Sequence, residues 1–159
     1  MKAKVPVTPQ KAYRKAEEMC NRAEHCSGEI RKKLYDWGIS PTDAAGIIQK
    51  LERARFIDDS RFAHLFARDR MEYLGWGKRK IAAALIMKHI ERHIIREALD
   101  DLDNEIYTRR LLDIMRNKHK SLGSEAHTYD GRTKIFRHAI SRGFEPQLVI
   151  ETMKMLDVQ

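Results

Sequence analysis

Cysteine is nearly absent from the chain. It has two, Cys20 and Cys26, too few for a disulfide framework and suited to the role of small buried hydrophobes in a reducing compartment. Proline (4) and glycine (8) are scarce among 159 residues, so long stretches can be helical at low propensity cost. Long apolar runs are missing as well. The longest without a charge, such as Ile81 to Met87, fall far short of the roughly 18 to 20 residues that cross a bilayer. Met1 to Gln10 lacks the apolar core of a secretory signal, so a cytoplasmic protein with no membrane partner is expected. No phosphate-binding or dinucleotide-binding glycine loop and no strand-elbow serine occurs. The expectation is therefore no catalytic residue, no cofactor and no enzymatic activity.

What the chain has in quantity is positive charge. The 31 Lys/Arg outnumber the 23 Asp/Glu to give a net +8, and the excess is unevenly placed. Residues 1–57 carry 12 basic against 7 acidic side chains and residues 64–96 carry 8 against 3, whereas residues 97–159 carry 10 against 11. A field concentrated in this way either solubilises the surface or draws a polyanion such as nucleic acid or a nucleoprotein.

Apolar residues recur at helical spacing, as in Phe62, Leu65, Phe66 and Tyr73, or Ile106, Tyr107, Leu111, Leu112 and Met115. Strand alternation is lacking, so the fold class is all-α. The chain also repeats. Aligned on Ile39, Ile90 and Phe144, spaced 51 and 54 residues apart, it places Ile30, Ile81 and Ile135 nine residues earlier. Leu34, Leu85 and Ala139 stand five residues earlier. Eight, nine and twelve residues later the copies read Ile47, Ile48, Leu51, then Ala98, Leu99, Leu102, then Thr152, Met153, Leu156. The pattern is helix, tight turn, helix. Gly38 suits a left-handed helix end and Ser40-Pro41-Thr42-Asp43 resembles a capping box, with Gly143 and Pro146 at the same offsets in the third copy. The middle copy has His89 and Arg92 there, which predicts a less tightly specified turn. A further helix precedes each pair, at about 9–25, 60–74 and 104–121. Three tandem three-helix, helix-turn-helix-like repeats are expected, at residues 1–57, 58–103 and 104–159, forming an elongated, curved array in which neighbours share buried surface. Gly123, Ser124, Asp130 and Gly131 predict a loop over residues 121–131.

Few side chains suggest chemistry. Asp58-Asp59 precedes an amphipathic stretch and reads as a helix cap rather than a metal pair. His89 and His93 lack further ligands, and Cys20, His25 and Cys26 fit no zinc spacing, so no metal site is expected. Gly75-Trp76-Gly77 reads as a hinge with an aromatic plug, the alternative being an indole that anchors a partner or stacks on a base. The strongest constellation is Arg68, Arg70, Lys78, Arg79, Lys80, Lys88, Arg92 and Arg96 in the middle repeat, expected to bind a partner or nucleic acid. Lys88, Arg92 and Arg96 would align only if one helix ran through them, and a turn near His89 is expected to break it. A smaller cluster is Arg31-Lys32-Lys33.

At Phe56-Ile57-Asp58-Asp59-Ser60-Arg61-Phe62-Ala63, Arg68-Asp69-Arg70 and Gly75-Trp76-Gly77-Lys78-Arg79-Lys80-Ile81, the chain resembles the RecX family of recombination regulators. Glu29 to Leu34 followed by Gly38-Ile39 resembles the family's first-unit signature. His89, where the family usually has glycine, and the long 121–131 segment depart from the pattern. The resemblance implies a non-enzymatic regulator; nothing in the sequence suggests an obligate oligomer, so a monomer is expected. It would bind the RecA nucleoprotein filament, block its extension and lower recombination, ATP turnover and co-protease activity, modulating DNA repair and the SOS response, with weak non-specific contact to single- or double-stranded DNA. The alternative is a helix-turn-helix DNA-binding protein. Against it, the second helices of the copies open with Pro41-Thr42-Asp43, Glu91-Arg92-His93 and Glu145-Pro146-Gln147, each with an acidic residue that would repel phosphate.

Overall fold

The computed structural model describes residues 6–157; residues 1–5 and 158–159, the outer ends of the first and third repeats as set from the sequence, lie outside the described residues. Among the described residues there are nine α-helices and no strand. They are α1 (Pro9–Arg22), α2 (Ser27–Asp36), α3 (Pro41–Arg53), α4 (Asp59–Leu74), α5 (Lys78–Met87), α6 (Arg92–Asp100), α7 (Asn104–Leu122), α8 (Tyr129–Ser141) and α9 (Pro146–Leu156). Short polar side chains start most of them by accepting an otherwise unpaired backbone amide. Thr8, Ser40, Asp58, Asp103 and Thr128 take the amides of Lys11, Asp43, Arg61, Ile106 and Gly131 at 3.0 to 3.3 Å. Pro9, Pro41 and Pro146 stand at helix starts, where a missing amide costs nothing.

The helices pack in threes, α1 with α2 and α3, α4 with α5 and α6, α7 with α8 and α9. Each trio closes through the same turn. The amides of Ile39, Ile90 and Phe144 donate to the carbonyls of Leu34, Leu85 and Ala139 at 3.0, 3.2 and 3.3 Å. The preceding residues, Gly38, His89 and Gly143, all have positive φ (81°, 61° and 97°). The middle turn is thus as tightly specified as its neighbours, contrary to the expectation from its missing glycine. Histidine is among the L-residues that enter the left-handed region more readily, and buried Ile90 fixes the chain beyond it.

The loop expected over residues 121–131 is also corrected. α7 continues to Leu122, a 3-10 helix spans Gly123–His127, and α8 begins at Tyr129. Ala126 is buried in the core, and Gly131 passes so close to the Glu125 carbonyl that an added methyl would sit 1.9 Å from its oxygen. Packing, not local sequence, orders this segment.

Two apolar cores form. Ala12, Ala16, Ile30, Leu34, Ile39, Ile47, Ile48 and Leu51 make one inside the first trio. The other runs without interruption through the second and third, from Phe62 and Met71 through Ile81, Leu85, Leu111 and Met115 to Ile135, Phe144 and Val149. Cys26 is the first trio's contribution to it. The accessible surface, 10625 Å², exceeds the roughly 8,200 Å² that a compact monomer of this mass presents, as an elongated molecule would.

The junctions differ accordingly. Between the first two trios the contacts other than buried Cys26 are polar. Asp59 accepts the Ser27 amide at 2.7 Å and its hydroxyl at 2.6 Å, Arg61 meets Glu24 at 2.7 Å, and Lys88 meets Glu29 at 3.2 Å. Of the two aspartates read as caps, Asp58 caps α4, whereas Asp59 satisfies the start of α2. Between the second and third trios α4 packs on α7, and the backbones touch. The amides of Gly77 and Arg79 donate to the carbonyls of Arg142 and Gly143 at 2.7 and 3.0 Å, and the Lys78 amide donates to the Tyr107 hydroxyl at 2.9 Å. A methyl on Gly77 would lie 2.2 Å from the Gly143 carbonyl carbon, so this crossing requires glycine.

Candidate functional site

On α4, Phe62, Phe66 and Arg70 recur every four residues and share one face. The helix ends at Gly75 with φ of 65°, and the Trp76 amide folds back onto the Arg70 carbonyl at 3.0 Å. This brings the half-buried Trp76 ring edge-on to Phe66 at 6.3 Å, while Phe62 stacks on Phe66 at 5.8 Å. Cations cover this row of rings. The Arg70 guanidinium lies 4.4 Å from the Phe66 centroid and 5.5 Å from that of Trp76. Lys80 lies 4.6 Å over Trp76, and Lys88 lies 5.8 and 5.9 Å from Phe62 and Phe66. Each such contact is worth about 0.5–1 kcal/mol at a partly exposed site, enough to orient a long side chain without neutralising it.

The first turn of α5 adds to this strip. Lys78, Arg79 and Lys80 occupy a helix start that has no acidic residue, where cations oppose the helix dipole. Lys78 lies 5.1 Å over the Tyr107 ring, and Arg79 is exposed. Among the described residues none of the three pairs with a carboxylate. The Tyr107 hydroxyl, which receives the Lys78 amide, donates in turn to Glu145. Burial and that bond push its pKa up, so it stays a neutral linker.

Not every expected cation is both in the strip and free of a carboxylate. Lys88 is half-buried and paired with Glu29; although burial opposes ionisation, the Cys26 amide and Lys88 hold the Glu29 carboxyl below its usual range. Arg68 is exposed beside Asp69 at 3.9 Å, about 200° round the helix from Phe66 and Arg70. Arg92 and Arg96 stand one turn apart and exposed on α6, beyond the break that ends α5 at Met87. The structure therefore joins Arg70, Lys80 and Lys88, sets Lys78 and Arg79 at their edge, and leaves Arg68, Arg92 and Arg96 apart. The Arg31-Lys32-Lys33 cluster flanks a cleft of about 670 Å³ between α2 and the end of α5, together with Lys88 and exposed Met87.

Sequence reasoning missed the platform. The four-residue spacing of Phe62, Phe66 and Arg70 was the signal that could have found it. Trp76 does plug the hinge, and it does so while carrying two cations. Among the described residues no group of three His, Cys, Asp or Glu is placed to hold a metal, and no helix is long and apolar enough to cross a membrane. Cys26 is buried, and that burial pushes its thiol up to about 11, which makes it a packing residue.

Comparison with known proteins agrees with the geometry. The family model of the first three-helix domain of RecX matches residues 12–51, and that of the second matches residues 58–99. A regulatory protein RecX of Clostridium beijerinckii is 30% identical over 129 residues, covering 79% of this chain and 59% of that protein. One from Prosthecochloris aestuarii is 29% identical over 148 residues, covering 92% and 94%. The chain thus spans about three fifths of the clostridial relatives and nearly all of the other. The crystal structure of RecX from Lactobacillus salivarius superposes with a TM-score of 0.86 at 20% identity, over 95% of this chain and 97% of that one, which establishes the shared fold. With two family domains matched over more than half of its 159 residues, the chain belongs to the RecX family.

Proposed function

We propose that the protein is a non-enzymatic regulator that binds the RecA nucleoprotein filament, limits its extension and lowers its recombination, ATP-turnover and co-protease activities, thereby modulating DNA repair and the SOS response. The observation that carries this reading is the strip in which Arg70, Lys80 and Lys88 lie on Phe62, Phe66 and Trp76, with Lys78 and Arg79 beside it. Cations held on aromatic faces, with Arg70 and Lys80 pairing with no carboxylate among the described residues and only Lys88 paired, to Glu29, suit a surface that meets both nucleic acid and protein. The division into repeats at residues 1–57, 58–103 and 104–159, and their elongated arrangement, would supply a long contact along a filament. The protein would act as a cytoplasmic monomer without a cofactor, touching DNA weakly and without sequence preference.

The test is to titrate the protein into RecA on single-stranded DNA while following ATP turnover, with DNA binding measured separately. Substoichiometric inhibition with weak DNA affinity is the expected result. Tight DNA binding with unchanged turnover would favour a helix-turn-helix DNA-binding module instead. Replacing Arg70, Lys78, Arg79 and Lys80 by Ala should weaken association and reduce the log-log salt slope by roughly 0.7 to 0.9 for each side chain that contacts phosphate. An unchanged slope would remove direct phosphate contact from the proposal.

A further inference from the structure

We propose that a cleft between α7 and α8 in the third trio is a separate phosphate site, in which Arg110, Lys118, His138 and Arg142 grip the backbone of a polynucleotide strand. The cleft measures about 350 Å³, and its polar lining is completed by Asn117 and Ser121, with no carboxylate. Arg110, Lys118 and Ser121 share one face of α7, and His138 and Arg142 stand four residues apart along α8 and its C-terminal cap.

The two arginines are held in place but not neutralised. The Arg110 Nε donates to the Glu72 carbonyl at 3.2 Å and the Arg142 Nε to the Gly75 carbonyl at 3.3 Å, while the Arg142 Nη2 donates to the Leu74 carbonyl. These acceptors are backbone groups at the end of α4. Both guanidinium groups converge there. A methyl placed on Gly75 would lie 3.2 Å from Arg142 Nη2 and 3.4 Å from Arg110 Nη2. Among the described residues neither arginine nor Lys118 pairs with a carboxylate. The uncompensated field is felt at His138, whose imidazole is kept below its usual pKa by burial and then by Lys118 and Arg142. Converging guanidinium groups with no counter-ion match a phosphate, which accepts the N–H bonds that the carbonyls leave free and relieves the repulsion.

A strand suits the cleft better than a free anion because of what adjoins it. Tyr73, 75% exposed, lies between Glu72 and Leu74, whose carbonyls anchor the two arginines, and offers a face on which a base can stack. Trp76 directly follows Gly75 and carries Arg70 and Lys80. One short loop thus has the aromatic strip on one side and this cleft on the other. The inference rests on the DNA contact of the proposed function and not on filament binding.

Lys118 and His138 provide the test, since neither side chain caps a helix or bridges two trios. A labelled oligo-dT would be titrated into the full chain at several salt concentrations, and the His138 imidazole followed by NMR with the oligonucleotide and, separately, with inorganic phosphate. The oligonucleotide is expected to raise the apparent pKa of His138. Lys118→Gln is expected to reduce the salt slope by about 0.7, and Lys118→Arg to restore it. An unchanged slope together with an unmoved His138 titration would overturn the proposal. So would a response to inorganic phosphate with none to the oligonucleotide. Failure of the unaltered chain to inhibit RecA, with its His138 response to the oligonucleotide present, would retire the filament reading and leave this site standing.

Discussion

His64 shows how one side chain can make helix packing depend on pH. Its Nδ1 lies 2.7 Å from the Ser60 carbonyl and its Nε2 lies 2.7 Å from Asp101 at the end of α6. Both partners only accept, so the site satisfies both ring nitrogens only when the imidazolium, with two N–H donors, occupies it. The Ser60 carbonyl, against partial burial, and then Asp101 and Glu97 raise the pKa above its usual value. A group raised on folding contributes its full stability below the unfolded pKa, about 6.5, and loses it as pH climbs through the folded value. The stability difference between the wild type and His64→Gln is therefore expected to be largest near pH 5.5 and to shrink toward pH 8.5, as read from urea midpoints. A difference that does not change with pH would mean that the ring stays neutral. Two glycines make a matched pair at the same scale. Gly46 in α3 has nothing within 4 Å of an added methyl, whereas at Gly28 in α2 that methyl would lie 2.2 Å from the Lys88 carbonyl oxygen. Gly46→Ala should stabilise the fold by roughly 0.5–1 kcal/mol through helix propensity. Gly28→Ala should instead destabilise it by about 1–3 kcal/mol, because a backbone carbonyl must move. Effects of the same sign in urea denaturation would contradict the close approach of α2 to the end of α5.

At the scale of the element, the middle turn offers a sharper test. His89 has φ of 61° where the other trios place Gly38 and Gly143, and a side-chain-bearing residue there costs roughly 1–2 kcal/mol. His89→Gly recovers that cost less the extra chain entropy of glycine, so a net gain of about 0.5–1 kcal/mol in unfolding free energy is expected. A loss would show that the imidazole makes a stabilising contact. The helices themselves were legible because their signals are local: apolar spacing of three and four, Pro41 and Pro146 at starts, Gly38 and Gly143 at ends. What escaped depends on partners distant in sequence. Gly123 and Ser124 read as loop, although buried Ala126 draws them into a 3-10 helix. Lys88 read as an open cation, although Glu29, 59 residues away, engages it. Composition revealed the cations of the middle trio, but only helix phase separates Arg70 from Arg68. Arg110 and Arg142 were hidden by a region whose charges nearly cancel.

At the scale of the molecule, the separate cores imply unequal cohesion. The second and third trios share an apolar interior and therefore unfold together. The first holds to the second through Asp59, Arg61, Lys88 and the buried Cys26. Asp59 is the most exacting of these, since its two oxygens satisfy both the amide and the hydroxyl of buried Ser27 at the start of α2. Removing the carboxylate leaves two donors without their partner, a cost of about 1.5–3 kcal/mol for charge-assisted bonds. That cost falls on the junction, because neither core contains Asp59. In Asp59→Ala, hydrogen exchange is expected to quicken at the start of α2 and around the end of α5, while the amides of α7 and α8 keep wild-type protection. Uniformly faster exchange through α7 and α8 would instead mean that all three trios form a single cooperative unit. The same variant tests whether the alignment of the trios matters for function. Its strip of cations and rings is left in place, so a drop in the proposed RecA inhibition without a change in the proposed DNA salt slope would assign the lost effect to the alignment of the first trio on the second.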